Sequence, residues 1–440
     1  MSDPTDARPL KVPAGRVNRL FRLGSLTAGI AGGAALQALG GMARGTRPDA
    51  RSLLVTPGNV RRVTEELARM RGAAMKIGQL LSMDAGEFLP PELAQVLARL
   101  RDQAHVMPPA QLKQVLDRGW GAGWMRRFQR FDVRPIAAAS IGQVHRAATR
   151  DGRDLAIKVQ YPGVAQSIDS DVSNVGSLLR LSGLLPKGFD IAPYLAEARR
   201  QLHEETDYAR EGAQLRRFGA LLDDADDFAV PEYHPDLSTP QILAMSFMAG
   251  RPIETLTEAD ATTRNRVMAT LVDLTLREVF DFGAMQSDPN FANYLHDPVS
   301  GRIVLLDFGA VRDLDPAVTA AYRNLLRAGL SQDAGGLQEA ATALGLIGTG
   351  PEAGPFDARL LALMTQIFAA LGADRFDFAD QSLLRTLNAE AMALARGGYH
   401  PPSVPMDVLY LQRKFGGLFL LGTRLRATLP LRQITERHLD

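Results

Sequence analysis

Three oxygen-bearing side chains stand at spacings that suit work on a metal-bound phosphate. Asp307 follows Leu305 and Leu306 and precedes Phe308 and Gly309, Asn293 lies fourteen residues earlier, and Asp288 five before that. Magnesium takes hard oxygen ligands in octahedral geometry, and a carboxylate, an amide oxygen and phosphate oxygens meet that need together. Asp288 would be the base, or would orient the attacking hydroxyl or water. A strand ending in an Asp-containing turn would also account for Asp307 alone, so the three spacings have to be taken together. Lys158, closing Leu155–Ala156–Ile157–Lys158, is the candidate cation for the phosphates, with a solvated edge lysine as the alternative. It needs an acidic partner on a helix. Glu204, Glu205, Asp207 and Glu211 cluster about fifty residues later. Glu211 is the first choice and Glu197 the competitor, against a merely solvated acidic face.

The elements that must position these groups follow from periodicity. Val63, Leu67, Met70, Ala74, Ile77 and Leu81 recur at steps of four and three, the stripe of an amphipathic helix. Further helices are expected over Glu92–Leu100 and between Pro109 and Gly119. Val144–Ala148 and Leu155–Gln160 read as strands joined at Asp151–Gly152. Asp169–Arg217 reads as mostly helical with a break near Leu185–Gly188, and Ile242–Met248 as a strand. Beyond it the chain reads as helical, with one short strand pair around Tyr294–Leu295 and Ile303–Leu306. No internal repeat is visible.

Asp288 with Asn293, then Asp307-Phe308-Gly309, fits a protein-kinase catalytic loop and the metal-binding strand after it, with Lys158 at the place of the strand lysine. Laid on the kinase phosphate loop Gly-x-Gly-x-x-Gly-x-Val, the stretch Ala137–Ala138–Ala139–Ser140–Ile141–Gly142–Gln143–Val144 keeps Gly142 and Val144 but has alanine at both earlier glycine positions, Ala137 and Ala139. Each added Cβ disfavours positive φ and stiffens the loop, so nucleotide geometry or preference should differ, unless the stretch is only a packing turn. Adenine is expected at backbone groups of Ser246 to Met248, with Met245 behind it, and Ala156 is a further cofactor-binding candidate. Gln286 and Ser287 replace the usual His-Arg before the catalytic aspartate, which removes the reader of a phosphorylated activation loop. The chain runs from Asp313 straight into a helical pattern with no Ala-Pro-Glu segment. Transfer to a protein is disfavoured on that ground.

Composition excludes other classes. The chain has 440 residues, 50 basic against 49 acidic and no cysteine, which rules out disulfides, thiolate zinc sites, iron–sulfur clusters and thiol catalysis and gives no polycation for nucleic acid. The seven histidines form no ligand spacing. Charge is uneven: Met1–Val63 holds ten basic and three acidic residues. Leu23–Ala43 is uncharged, with six glycines and basic flanks, and reads either as a weakly inserted or surface-lying membrane helix or as a glycine-rich flexible leader.

Lys76–Ile77–Gly78–Gln79, the alanine loop, Lys158, Glu205–Thr206–Asp207–Tyr208 and Asp288–Pro289–Asn290–Phe291–Ala292–Asn293 together resemble the UbiB-type, or AarF-domain, atypical kinases, nearest the mitochondrial ubiquinone-biosynthesis branch and its bacterial relatives. The resemblance covers nearly the whole chain. It implies an α+β, bilobal, helix-rich protein-kinase-like fold whose N-terminal helical extension folds over the cleft. In such a fold Lys76, Gln79, Glu205 and Asp207 would occlude the place of a peptide substrate. It also implies ATP and Mg²⁺ as cofactors and a role in ubiquinone biosynthesis at membranes, with lipid or quinone-like ligands. Without the resemblance, Lys76 and Gln79 could simply face solvent.

The expected division is a basic leader (1–50), a helical Lys-x-Gly-Gln extension (51–130), a kinase-like N-lobe with a helical insertion (131–248) and a helical C-lobe (249–440). The reading that follows is an atypical kinase or ATPase that supports ubiquinone synthesis and acts on, or is regulated by, a lipid or small molecule. Its alternative is a nucleotide-gated scaffold or lipid-extraction factor with little phosphoryl transfer. Expected partners are anionic membrane lipids, quinone-precursor-like small molecules, ubiquinone-biosynthesis proteins and a second copy of the chain, with no nucleic acid. The expected location is cytoplasmic, peripheral to or weakly anchored at the inner membrane.

Overall fold

The computed structural model describes residues 67, 70–84, 106–139, 141–182, 185, 190–288, 290–348, 354, 356–397, 399 and 404–439. The uncharged leader, the helix expected over Glu92–Leu100, Val63, Ser140 and Pro289 lie outside the described residues, as does most of the break expected near Leu185–Gly188. The chain divides into two compact units. One holds the described residues up to Arg216 together with Pro231–Met248, the other Arg217–Val230 and everything from Ala249 on.

The first unit is a sheet with helices. It contains α1 (Arg71–Asp84), α2 (Pro109–Trp120), β1 (Phe128–Phe131), β2 (Ala137–Ala138), β3 (Gly142–Thr149), β4 (Asp154–Gln160), α3 (Val164–Ser182), α4 (Ala192–Glu205) and α5 (Tyr208–Leu221), of which the part up to Arg216 belongs here. β5 (Phe228–Ala229) belongs to the second unit; β6 (Ile242–Ser246) completes this one. Strand order is β1-β3-β4-β6, antiparallel, with β2 added on β3. β4 is central, and every residue from Leu155 to Gln160 is buried. Side chains alternate across a strand. Leu155, Ile157 and Val159 face a core with Leu116, Trp120 and Trp124, which turns Ala156 and Lys158 to the opposite face. Gly152, at φ 93°, permits the β3–β4 turn. α1 packs on α3 and α4, and Leu67, Met70, Ala74, Ile77 and Leu81 are all buried, as their spacing predicts.

The second unit is helical, with strands of two or three residues. It holds β7 (Arg251–Pro252), α6 (Ala261–Phe280), β8 (Ala284–Gln286), β9 (Tyr294–His296), β10 (Ile303–Leu305), β11 (Val311–Asp313), α7 (Pro316–Leu330), α8 (Ala334–Ala343), α9 (Asp357–Leu371), β12 (Phe376–Asp377), α10 (Ser382–Arg396), α11 (Met406–Leu425), β13 (Thr428–Leu429) and α12 (Leu431–Glu436). The strands pair as β5-β10-β9-β7, β8-β11 and β12-β13, more pieces than the single pair the sequence suggests. Segments this short show no alternation over the four residues that make a strand readable. Asp260, Asp315 and Asp333 cap α6, α7 and α8 through backbone N–H groups two or three residues on. Among the described residues no helix is long and apolar enough to cross a membrane.

Candidate functional site

The predicted site residues fall in both units. In the first, Lys158 Nζ lies 2.8 and 2.9 Å from the two carboxylate oxygens of Glu211, and the side chains are 9% and 1% exposed. A bidentate pair this dry is costly to build and costlier to break, since removal of either partner strands a buried charge. Glu211 is held in place from below. Asp207 caps α5, its Oδ1 accepting from Arg210 N at 3.0 Å, and Glu211 follows one residue later. Glu197, the competing candidate, is engaged by Arg200 and Gln201. Tyr208, to which sequence reasoning gave no role of its own, places its ring 5.4 Å from Lys158 Nζ and shields the pair from water. Its position inside Glu205–Thr206–Asp207–Tyr208 was the available signal.

The register gathers the other predicted contacts. Lys158 pairs with Val144 and Leu243, and Ala156 with Arg146 and Met245, so Val144, Ala156, Lys158 and Met245 share one face of the sheet. Ser246 pairs with Leu155 and points the other way, where its hydroxyl meets His234 Nε2 at 3.1 Å. The amides of Ser246 and Phe247 donate to Glu232 O and Asp154 O, at 2.9 and 2.8 Å. The Met248 N–H makes no bond among the described residues. The alanine stretch is the start of a tight hairpin. Ala137 and Ala138 pair with Val144 and Gln143, and Ala139 N donates to Gly142 O at 2.8 Å. Gly142 is required by packing: a Cβ there would stand 2.4 Å from Val159 O and 3.1 Å from the Tyr208 hydroxyl.

Lys76 is 5% exposed and ion-paired with Glu205, which joins α1 to the end of α4. The solvent-facing alternative does not hold for it, because the partner carboxylate compensates its buried charge. Gln79, one turn on from Lys76, is partly buried, while Asp207 is exposed at its cap.

In the second unit, β9 and β10 pair antiparallel with Leu305 opposite Tyr294, and the Leu306 amide donates to Asn293 O at 3.0 Å. That register brings Asn293 beside the residue that precedes Asp307. Asp307 Oδ1 accepts from Gly309 N at 2.9 Å, a turn that aims the carboxylate, and Phe308 is fully buried with its ring 5.1 Å from that of Phe218. Ser287 ties the strand before Asp288 to the turn after Asp307, its N–H and hydroxyl donating to Ala310 O at 3.0 and 2.8 Å. Gln286 Nε2 donates to the Asp307 carbonyl. The donor set fits magnesium: an amide oxygen just before β9 and a carboxylate just after β10, with phosphate oxygens to complete the shell. Among the described residues no cluster of three His, Cys, Asp or Glu side chains could hold a metal alone.

Two residues escaped sequence reasoning. Arg413 of α11 stands 3.7 Å from Asp288 Oδ1. Burial lowers its pKa, and the Asp288 charge works the other way. Its neighbour Lys414 is buried against Glu278 at 2.8 Å. Two adjacent cations in the middle of a helix rich in apolar residues were the signal.

Comparison with known proteins gives the family and the fold. The ABC1 atypical kinase-like domain matches residues 99–341. The atypical kinase COQ8, mitochondrial, of Saccharomyces cerevisiae is 39% identical over 420 residues, covering 95% of this chain and 83% of that protein. The atypical kinase COQ8B, mitochondrial, of Danio rerio is 36% identical over 433 residues, covering 97% and 69%. Among solved structures, the complex of Rv3197 with erythromycin from Mycobacterium tuberculosis superposes with a TM-score of 0.61 at 24% identity, covering 84% of this chain and 93% of that one, and so shares its fold. With a kinase-like α+β fold and a family match over more than half its length, the chain belongs to the ABC1 atypical kinase family, kinase-type phosphotransferases by class.

Proposed function

We propose that the chain binds Mg-ATP and cleaves or transfers its γ-phosphoryl group in support of ubiquinone biosynthesis, as an atypical kinase or ATPase whose acceptor, or regulator, is a lipid or small molecule. The observation that carries this reading is the buried bidentate pair of Lys158 with Glu211, on a sheet face shared with Val144, Ala156 and Met245. A lysine fixed in this way is a preorganised cation for α- and β-phosphates, at no cost of reorganisation when the nucleotide arrives. Asn293 and Asp307 would hold Mg²⁺ against the phosphates, and the metal would neutralise charge developing on the transferred group. Asp288 would orient the acceptor hydroxyl or water. Arg413 balances its charge.

A non-protein acceptor is supported by the short path after Gly309. β11 begins at Val311, and Asp315 already caps α7, which leaves no room for a long peptide-docking segment there. Quinone-precursor-like phenols and anionic lipids are the proposed partners, and the face of an inner membrane the proposed place of action. Purified full-length protein should turn over ATP, and Lys158→Ala and Asp307→Asn should each abolish it. Turnover unchanged in both variants would overturn the reading.

The Lys76–Glu205 pair favours a second reading, a nucleotide-gated scaffold in which α1 is held against α4 and released on binding. There Asp288→Asn should leave cellular function intact, while loss of ATP binding should not.

A further inference from the structure

Lys414 sits on α11, more than a hundred residues from any predicted catalytic group in sequence, and is buried with two hydrogen bonds and one ion pair at its ammonium. An ammonium has three donors. Here the three oxygens around it are Glu278 Oε2 at 2.8 Å, the main-chain carbonyl of Gln286 at 3.1 Å and the Tyr294 hydroxyl at 3.1 Å. Burial opposes the charge, but Glu278 and Tyr294 outweigh it and hold the lysine above its ordinary pKa.

Two of those oxygens bracket one functional loop. Gln286 ends β8 two residues before Asp288, and Tyr294 begins β9 directly after Asn293. Gln286 is held at three points: its N–H donates to Glu278 Oε1 at 3.2 Å, its carbonyl accepts from Lys414, and its side-chain N–H group donates to the Asp307 carbonyl. Nothing else among these contacts ties both ends of the loop to a single atom. A pair meant only to stabilise would not need to face the loop. Apolar residues of like volume would hold a helix interface as well or better.

We propose that Lys414 is a positioning residue, and that its ammonium, balanced by Glu278, sets the span of the Asp288–Asn293 loop and hence the placement of Asp288 relative to Asn293 and Asp307. This rests on the reading of those three residues as phosphoryl-transfer machinery. A catalytic group displaced by about an ångström loses about a hundredfold in rate, while ground-state nucleotide affinity, set largely elsewhere, changes little.

The test uses the full chain with Lys414→Met combined with Glu278→Gln, which removes both charges and keeps volume, and separately Tyr294→Phe, which removes one acceptor. Support for outer ligands of this kind is worth about 10–100-fold in activity, so kcat for ATP should fall in that range in the double variant and by less in Tyr294→Phe. KM should stay within about twofold, the pattern of an interaction made only in the transition state. Hydrogen exchange of the amides from Asn290 to Tyr294 should speed up in both variants, a readout independent of turnover. If the wild type shows no Asp307-dependent turnover, the nucleotide reading fails and exchange alone decides the positioning claim. Loop exchange unchanged in both variants, or a raised KM with kcat intact, would overturn it.

Discussion

Substitution of Glu211 by Gln keeps shape and removes one charge from a buried ion pair of the first unit. Lys158 is then left beside an amide at 9% exposure. Removal of one partner of a buried pair costs about 3–5 kcal/mol. An ordinary lysine can escape by shedding its proton, at about 4.6 kcal/mol at pH 7 for a pKa of about 10.4, so the two bounds agree. The double variant Lys158→Met with Glu211→Met leaves no charge behind and should lie within about 1.5 kcal/mol of wild type, as volume-conserving changes do. The protein has two tryptophans, Trp120 and Trp124, and both pack in the core beneath β4. Their fluorescence therefore reports unfolding of this unit. With a urea slope of about 2–3 kcal/mol/M, Glu211→Gln should lower the midpoint by about 1–2 M, and the double variant should recover most of that. A Glu211→Gln midpoint within about 0.3 M of wild type, or a double variant no more stable than the sum of the singles, would refute the charge-pair account.

Three further outcomes use the same fluorescence. His145 is fully buried, accepts from Gln143 and donates to Asp132 O, and burial lowers its pKa to about 4. The folded state then binds fewer protons than the unfolded one, so stability is full above about pH 6.5 and is lost as pH falls toward 4. Between pH 7 and 5 the loss should be about 2 kcal/mol, and His145→Gln should abolish that slope; an equal slope in the variant would assign it elsewhere. Gly142→Ala forces a Cβ toward the Val159 carbonyl and should cost about 1–3 kcal/mol; an unchanged midpoint would show that the strand approach does not require glycine. Asp207→Ala should cost about 1 kcal/mol by loss of the α5 cap and Asp207→Asn a few tenths; equal losses would show that charge matters more than the cap.

What could be read from the sequence was what repeats or keeps fixed spacing. The α1 stripe and the β3–β4 hairpin at Asp151–Gly152 followed from local pattern, because burial on one face and turn chemistry are written in neighbouring residues, whereas the choice of Glu211 over Glu197 rested on the expectation that a kinase-type strand lysine has an acidic partner on a helix. The burial of Lys76 was not, since an amphipathic stripe gives the polar face no partner until α4 brings Glu205. Gly142 was read against a phosphate loop, yet its necessity comes from the approach of β4, a contact between strands. The second unit was the least legible. Its strands are too short to alternate, and Arg413 and Lys414 lie far along the chain from the loop they attend. Met248 was placed by its position after Met245, while only the coordinates separate its N–H from those of Ser246 and Phe247.

The central claim is that Lys158 and the Asn293–Asp307 pair serve one magnesium-bound nucleotide. Calorimetric titration of ATP with Mg²⁺ and with EDTA, into wild type, Lys158→Met/Glu211→Met and Asp307→Asn, tests it most directly. Wild type should bind more tightly with Mg²⁺, Asp307→Asn should lose that dependence, and the Lys158 variant should bind more weakly under both conditions. Equal ATP affinity in all three proteins, with or without Mg²⁺, would contradict it.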